Sequence, residues 1–140
     1  MAAAIPDEFL DLLCGKTCAA LTTVMPDGQP QTTVVWVDYD GTYVLVNTMR
    51  GFRKERNMRA NPKVTLLAFD PTEPLRSLEV RGTVVEMTEV GALEHLDRLS
   101  ERYTGASPYF GACVPAALKE HEVPVICKIL PTRVVTLDAR

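Results

Sequence analysis

The strongest candidate for binding chemistry is a cluster of five cations within ten residues. A single acid, Glu55, lies among them, so the segment carries +4 in a chain whose net charge is −3. The five cations are Arg50, Arg53, Lys54, Arg56 and Arg59. The spacing of Arg50, Lys54 and Asn57 would let their side chains converge on one ligand from a helix. A helix N-terminus preceded by Gly51 suits a phosphate, so the segment predicts a small-anion site, with a solvated helix face as the competing interpretation.

Other chemistry-bearing residues show no comparable arrangement. The cysteines contain no Cys-x-x-Cys pair, and neither His95 nor His121 has ligand-type neighbours at metal-binding spacing. We therefore expect reduced, mostly buried cysteines and no zinc site. No Ser–His–Asp set or carboxylate pair marks a nucleophilic or hydrolytic centre, and catalytic residues stay unassigned. The four cysteines are Cys14, Cys18, Cys113 and Cys127.

Length and composition indicate one folded domain covering residues 1–140. Of its 140 residues 46% are hydrophobic and 24% charged, which is typical of a globular protein. The negative net charge argues against a nucleic-acid or anionic-membrane partner. No apolar run approaches the roughly 20 residues that span a bilayer, and no basic leader is visible, so a cytoplasmic location is the default expectation.

The elements that must position the cations are mainly β-strands. Asp7 is a candidate cap for the first of three predicted helices. Turn signals at Pro26-Asp27-Gly28 and Tyr39-Asp40-Gly41 predict that the first three strands form an antiparallel meander. The predicted strands cover residues 17–25, 31–38, 42–47, 63–70, 75–87, 123–130 and 133–137. The predicted helices cover 8–13, 51–60 and 89–103, with a short turn at 116–121.

Six or seven mostly antiparallel strands with few helices favour a mainly β fold, a small barrel rather than a doubly wound sheet. The strand at 31–38 has apolar residues on both faces, which predicts that both faces are covered, as in a barrel wall that also meets another layer or subunit. Gly82 is expected to bend the long strand at 75–87.

Several motifs resemble the pyridoxamine-phosphate-oxidase-like split β-barrel family. They are most similar to the branch that uses the deazaflavin coenzyme F420 rather than FMN. The resemblance extends from about residue 17 to 103 and includes the closing segment 131–135. The motifs are Ala20-Leu21-Thr22-Thr23-Val24-Met25-Pro26-Asp27-Gly28-Gln29-Pro30-Gln31-Thr32-Thr33-Val34-Val35-Trp36, Val46-Asn47-Thr48, Arg53-Lys54-x-Arg56-Asn57-x-Arg59-x-Asn61-Pro62 and Leu78-Glu79-Val80-Arg81-Gly82.

This resemblance implies a split-barrel homodimer with two cofactor sites in grooves at the subunit interface. It implies hydride transfer between F420 and an unsaturated or conjugated small molecule. The residues expected along the cofactor ring are Thr33, Val34, Val35 and Trp36. Those expected at its phosphate and anionic tail are Asn47, Thr48, Arg50, Gly51, Arg53, Lys54 and Asn57. Those expected from the partner subunit are Leu75, Arg76 and Ser77.

Alternatives remain open at this level. One alternative is an FMN-binding split-barrel oxidase or reductase, and another is a non-catalytic cofactor-binding module. Haem is disfavoured, because neither histidine has the sequence context of an axial ligand. Trp36 is either a core residue or a ring contact, and residues 104–115 form either a packed crossover or a pocket wall. Arg81 either reaches the cofactor or pairs with Glu79.

Overall fold

A computed structural model describes residues 2–139 as one seven-stranded antiparallel sheet with three short helices. The strands are β1 Ala19–Val24, β2 Pro30–Val35, β3 Asp38–Tyr39, β4 Val44–Met49, β5 Lys63–Phe69, β6 Arg76–Thr88 and β7 Pro124–Asp138. The helices are α1 Asp11–Cys14, α2 Arg53–Ala60 and α3 Ala92–Thr104, with short turns at Asp7–Phe9, Tyr109–Cys113 and Ala116–Glu120. The mainly β, split-barrel prediction is confirmed.

The strand order β2-β1-β5-β6-β7-β4-β3 forces the sheet to curl. Strands β2 and β3 lie at opposite edges, yet only Trp36 and Val37 separate them along the chain. Because this short connection reaches no more than about 11 Å, the two edges must lie close together. The hydroxyl of Tyr103 in α3 fixes the crossing: it accepts a hydrogen bond from the Val37 amide at 3.1 Å and donates one to the Thr17 carbonyl at 2.8 Å.

The predicted three-stranded meander is confirmed only in part. β1 pairs with β2, and β3 pairs with β4 across the second turn, but the predicted middle strand is divided into β2 and β3, and β4 pairs on its other side with β7. The predicted strand 31–38 ends at Val35 because the chain leaves one sheet edge there for the other. Within the single chain one face of β2 is covered and the other is open: Val35 is buried, whereas Val34 is 75% exposed. Local turn signals do not encode which distant strand covers an edge.

The long strands β6 and β7 form the back of the barrel. Their register shifts between Arg81 and Gly82, where the sequence predicts a bend. A Cβ atom on Gly82 would lie 2.6 Å from both Ile129 Cγ2 and the Leu130 carbonyl oxygen, so the close approach of β7 requires glycine. The two strands predicted at 123–130 and 133–137 are one continuous strand, β7.

The inner face of the curled sheet forms the main core. Burying one large apolar side chain there stabilises the fold by about 1.5–3 kcal/mol, compared with leaving the same side chain in water. Fully buried members from five strands include Leu21, Val46, Leu66, Leu78 and Ile129. The alternation of buried and less buried residues along β1 and β5 matches the period of two expected for strands with one covered face.

The N-terminal segment differs from its prediction. Instead of one helix over 8–13 capped by Asp7, a single 3-10 turn precedes α1, and the side chain of Asp7 makes no cap hydrogen bond. The cysteine prediction is partly wrong as well, because only Cys127 is buried, whereas Cys14 and Cys18 are exposed. Among residues 2–139, no helix has the length and apolar character that crossing a membrane requires.

Candidate active site

A cleft of about 260 Å³ lies where the two ends of the curled sheet meet the helices. The end of β2 and the residue after it contribute the wall at Val34–Trp36, and β4 contributes the wall at Asn47–Met49. Phe52 and Lys54 at the start of α2 close one end. The remaining lining residues are Cys18, Leu96, Leu99, Tyr109 and Glu122. The cleft therefore combines apolar walls with a cationic end, as small-molecule sites generally combine apolar surface with few polar groups.

The five cations predicted from sequence separate into two groups. Arg50 Nη2 lies 2.5 Å from Glu89 Oε2, and Arg59 Nε contacts Glu55 Oε2, so these two charges are neutralised within the chain. The other three have no carboxylate oxygen within 4 Å anywhere in residues 2–139. These three, called the unpaired cations below, are Arg53, Lys54 and Arg56.

Lys54 is the unpaired cation that lines the cleft. Its side chain is half-buried, and this burial lowers the pKa of the ammonium group because desolvation disfavours charge. No hydrogen-bond acceptor within residues 2–139 contacts its Nζ atom. A bound anion would stabilise the charge of this half-buried ammonium, so Lys54 is well placed to bind one.

The predicted convergence of Arg50, Lys54 and Asn57 does not occur. Helix α2 begins at Arg53 rather than at Gly51, so Arg50 lies outside it. The Asn57 side chain is 2% exposed and packs against β1, where Nδ2 donates to Thr23 Oγ1 at 3.0 Å. The Gly51 amide donates to Glu55 Oε1 at 2.8 Å, which uses a donor that was expected to face a phosphate.

Three buried side-chain polar atoms in residues 2–139 have no hydrogen-bond partner. They are Thr33 Oγ1, Asn47 Oδ1 and Thr48 Oγ1, and all three residues were predicted from sequence as cofactor contacts. Asn47 and Thr48 line the cleft directly. Buried polar groups in native proteins are nearly always satisfied, so these atoms are open to a further hydrogen-bond partner such as water or a ligand.

Trp36 packs against two other aromatic rings and also lines the cleft. Its ring stacks on Tyr103 with centroids 5.3 Å apart and meets Tyr109 edge-on at 6.1 Å, while the same ring lines the cleft. Tyr109 belongs to the segment 104–115, which thus serves as a packed crossover and as a cleft wall. Burial raises the pKa of Tyr109, which keeps its phenol neutral and able to donate a hydrogen bond.

The residues expected from a partner subunit lie away from this cleft in the same chain. Arg76 is buried and turned inward, with its guanidinium 2.5 Å from Asp11 Oδ1 and 3.3 Å from Asp70 Oδ2. Leu75, in the loop before β6, and Ser77, on β6, instead face outward. Arg81 pairs with Glu79 at 3.1 Å, in agreement with the ion-pair alternative.

Sequence reasoning missed several cleft residues. Cys18, Phe52 and Glu122 carry no local motif and reach the cleft only through the sheet's curl. His95 in α3 is 1% exposed and hydrogen-bonded to Asp38 and Asn47. Both partners lie on distant strands, so the spacing of residues along the helix gave no signal for them.

A curled antiparallel sheet with an apolar cleft beside a basic helix defines the chain as a split β-barrel of the cofactor-binding class. The chain belongs to the pyridoxamine 5′-phosphate oxidase family, whose sequence pattern matches residues 5–133. Family membership supports an oxidoreductase that uses a flavin-type or deazaflavin cofactor. No significant match is found among curated proteins.

Solved structures support the same assignment. The chain is 32% identical to a protein described as an F420 reductase, with a TM-score of 0.80 over 94% of this chain and 98% of that one. It is 29% identical to a conserved hypothetical protein from Mycobacterium tuberculosis, with a TM-score of 0.72 over 99% and 88% of the two chains. A putative pyridoxamine 5′-phosphate oxidase from Listeria innocua shares the fold at 21% identity, with a TM-score of 0.68 over 95% and 98%.

Proposed function

We propose that the protein is an F420-dependent oxidoreductase that transfers a hydride between the deazaflavin and an unsaturated or conjugated small molecule. The observation that carries this proposal is the group of unpaired cations beside an apolar cleft in an acidic chain. Salt bridges within the chain neutralise the neighbouring Arg50 and Arg59. Ion pairing within the chain does not account for the three remaining charges.

The cleft residues fit the chemical parts of such a cofactor. Val34, Val35 and Trp36 offer an apolar wall for a flat ring. Thr48 and Lys54 offer a hydroxyl donor and an ammonium for a phosphate oxygen. A deazaflavin combines an apolar tricyclic ring with a phosphodiester, so both kinds of surface find a counterpart.

The bound deazaflavin would supply two-electron hydride chemistry. The protein's own residues bind the ring, orient it and exclude water from one of its faces. Trp36 is held by Tyr103 and Tyr109, so this wall is rigid before any ligand arrives. We assign no proton donor.

The choice of F420 over FMN rests on Arg53 and Arg56. Together they line a second concavity of about 450 Å³ between α2 and the β1–β2 turn. A flavin mononucleotide has one phosphate, which Lys54 and Thr48 would already bind. The carboxylates of the F420 glutamate tail would give these two guanidinium groups the bidentate partners that arginine prefers.

We further propose a homodimer in which Leu75 and Ser77 approach the cofactor of the partner subunit. Outward-facing residues of β5, β6 and β7 lie opposite one another in two rows, Leu67–Glu79–Val135 and Phe69–Ser77–Leu137. The four hydrophobic members are exposed in the single chain. A contiguous apolar face of this kind is typical of a protein interface.

Titration with oxidised F420 and FMN, followed by fluorescence, tests the cofactor assignment. We expect F420 to bind at least about tenfold more tightly, because it adds charge-assisted contacts to Arg53 and Arg56. F420 without its glutamates is the matched control and should lose most of this advantage. Equal or reversed affinities would favour the FMN alternative.

Oxidation of reduced F420 in the presence of quinones, enones, tetrapyrroles and nitroaromatics tests the enzymatic part. Turnover with at least one class is expected. Tight F420 binding without turnover of any class would instead support a cofactor-binding module.

A further inference from the structure

A buried polar network connects α3 with β3 and β4 behind the cleft. His95 Nε2 lies 3.1 Å from Asp38 Oδ2, and His95 Nδ1 lies 3.2 Å from Asn47 Nδ2. The second oxygen of Asp38 accepts a hydrogen bond from Arg102 Nη2 at 3.0 Å. Of these residues only Asn47 lines the cleft, so the network ends there.

The chemistry of its neighbours fixes the orientation of the Asn47 amide. The Ala92 carbonyl oxygen lies 2.9 Å from Nδ2, and a carbonyl only accepts, so the amide nitrogen must face it. The second amide hydrogen points to His95 Nδ1, which can accept it only when the imidazole proton is on Nε2. The Nε2–H group donates a hydrogen bond to the Asp38 carboxylate, which therefore favours this tautomer.

Both amide donors of Asn47 are therefore used, and only its oxygen remains. Asn47 Oδ1 is buried without a partner. An acceptor in this position does not match a phosphate oxygen, which also only accepts. The resemblance to the family implied a phosphate or tail contact for Asn47, and the hydrogen-bond inventory of the amide opposes that role.

We propose that Asn47 presents a fixed hydrogen-bond acceptor to an N–H or O–H group of the bound ligand, and that His95, held by Asp38, is its positioning residue. This inference deepens the proposed function and rests on it for the ligand. Flavin and deazaflavin rings carry an imide N–H, and their sugar-alcohol chains carry hydroxyls. A ligand that places only an acceptor against Asn47 is disfavoured, because two buried acceptors would face each other unpaired.

The positioning half can be tested in the cofactor-free protein. We expect ¹⁵N-histidine NMR at neutral pH to show His95 as the neutral tautomer with its proton on Nε2. The exposed His121 serves as an internal reference, and His95→Gln assigns the signals. A proton on Nδ1, in either a neutral or a charged ring, would overturn the positioning role.

The recognition half is tested by titrating F420 and FMN into variants. Asn47→Leu keeps the side chain's size but removes the acceptor, and we expect about threefold to tenfold weaker binding. His95→Leu should produce a similar loss. His95→Asn should restore much of the affinity, since its side-chain oxygen can accept from Asn47 near the place of Nδ1. Unchanged affinity in Asn47→Leu would overturn the inference while leaving the proposed function intact.

Methylated ligands distinguish the two donor sources. If the ring imide is the donor, the N3-methyl derivatives of FMN and of 8-hydroxy-5-deazaflavin mononucleotide should bind wild type more weakly but Asn47→Leu unchanged. If a hydroxyl is the donor, the Asn47→Leu loss should persist with the methylated ligands and vanish with lumiflavin, which lacks the sugar-alcohol chain. Equal losses with every ligand would show a structural effect and overturn the inference. If wild type binds neither F420 nor FMN, the proposed function and the ligand assignment both fail, and the NMR result still decides the positioning role.

Discussion

Along α2, cations with the same intrinsic charge have different environments. Arg59 contacts the buried carboxylate of Glu55, whereas Lys54 is half-buried in the cleft with no acid within 4 Å among residues 2–139. Desolvation lowers the pKa of Lys54. A bound anion would stabilise the charged ammonium, so ligand affinity and the charge of Lys54 are linked.

Replacing Lys54 with alanine should therefore weaken the binding of phosphate-bearing cofactor. We expect a loss of roughly 1.5–3 kcal/mol if the ammonium makes a charge-assisted hydrogen bond. Titration of FMN and riboflavin, which differ only in the phosphate, measures this contact directly. The advantage of FMN over riboflavin should largely disappear in Lys54→Ala.

Arg98→Ala is the matched control for charge. Arg98 is exposed on α3 and takes no part in the cleft. Its removal changes the net charge equally but should leave both dissociation constants nearly unchanged. An equal effect of both variants would attribute the binding to the overall field of the protein, and an unchanged Lys54→Ala would support the solvated-face interpretation.

At the scale of elements, α3 holds the short strand β3 in place through one carboxylate. Burial raises the pKa of Asp38, but hydrogen bonds from His95 and the Tyr39 amide and the charge of Arg102 outweigh it and lower the pKa to about 2. The ordinary value is 3.8. Because the folded-state pKa is below the unfolded value, the ionised carboxylate stabilises the fold fully above about pH 4. This contribution is lost as pH falls through about 2.

The variant Asp38→Asn should consequently be less stable at neutral pH, and its deficit should shrink as the pH is lowered from about 5 towards 2. A pKa difference of this size corresponds to a stability change on the order of 2 kcal/mol. Urea unfolding at several pH values measures it. Glu101→Gln is the control, because this exposed carboxylate makes no side-chain hydrogen bond within residues 2–139. A deficit in Asp38→Asn that does not vary with pH would contradict this explanation.

At the scale of the whole molecule, the single chain leaves its sheet's outer face unprotected. Leu67 and Val135 lie in one row across β5, β6 and β7, and Phe69 and Leu137 lie in the next. Ser77, one of the residues predicted to reach the partner's cofactor, sits within this surface. Covering it with a second copy would remove the apolar area from water and bring β6 of each subunit to the interface.

We expect the protein to sediment as a dimer and Leu137→Asp to sediment as a monomer, because an unpaired carboxylate would be buried at the contact. Val90→Asp provides the same charge change at a single apolar residue that is 85% exposed, and it should remain dimeric. If the partner completes the site, Leu137→Asp should also weaken F420 binding. A wild-type monomer that binds cofactor fully would contradict the interface-groove arrangement.

Much of the element content could be predicted from sequence because it depends on local patterns. The predicted ranges 63–70 and 75–87 agree with β5 and β6 to within one residue at each end. Alternating apolar and polar residues and flanking Pro and Gly residues mark both strands. The irregularity at Gly82 was likewise expected as a bend. The prediction of a meander failed at its middle strand. Tight turns predict pairing between neighbouring strands, but they cannot show that Trp36 and Val37 cross from one sheet edge to the other.

The sequence by itself determined the mainly β class and the basic segment at Arg50–Arg59, because alternation, turn residues and charge are properties of neighbouring positions. Only the tertiary structure decided which of those cations remain unpaired, since Glu89 reaches Arg50 from 39 residues away. It also decided that both amide hydrogens of Asn47 are used within the chain, because they face Ala92 and His95 on a distant helix. Hydrogen bonds and ion pairs depend on positions within a few ångströms, and only the folded chain brings such distant residues together.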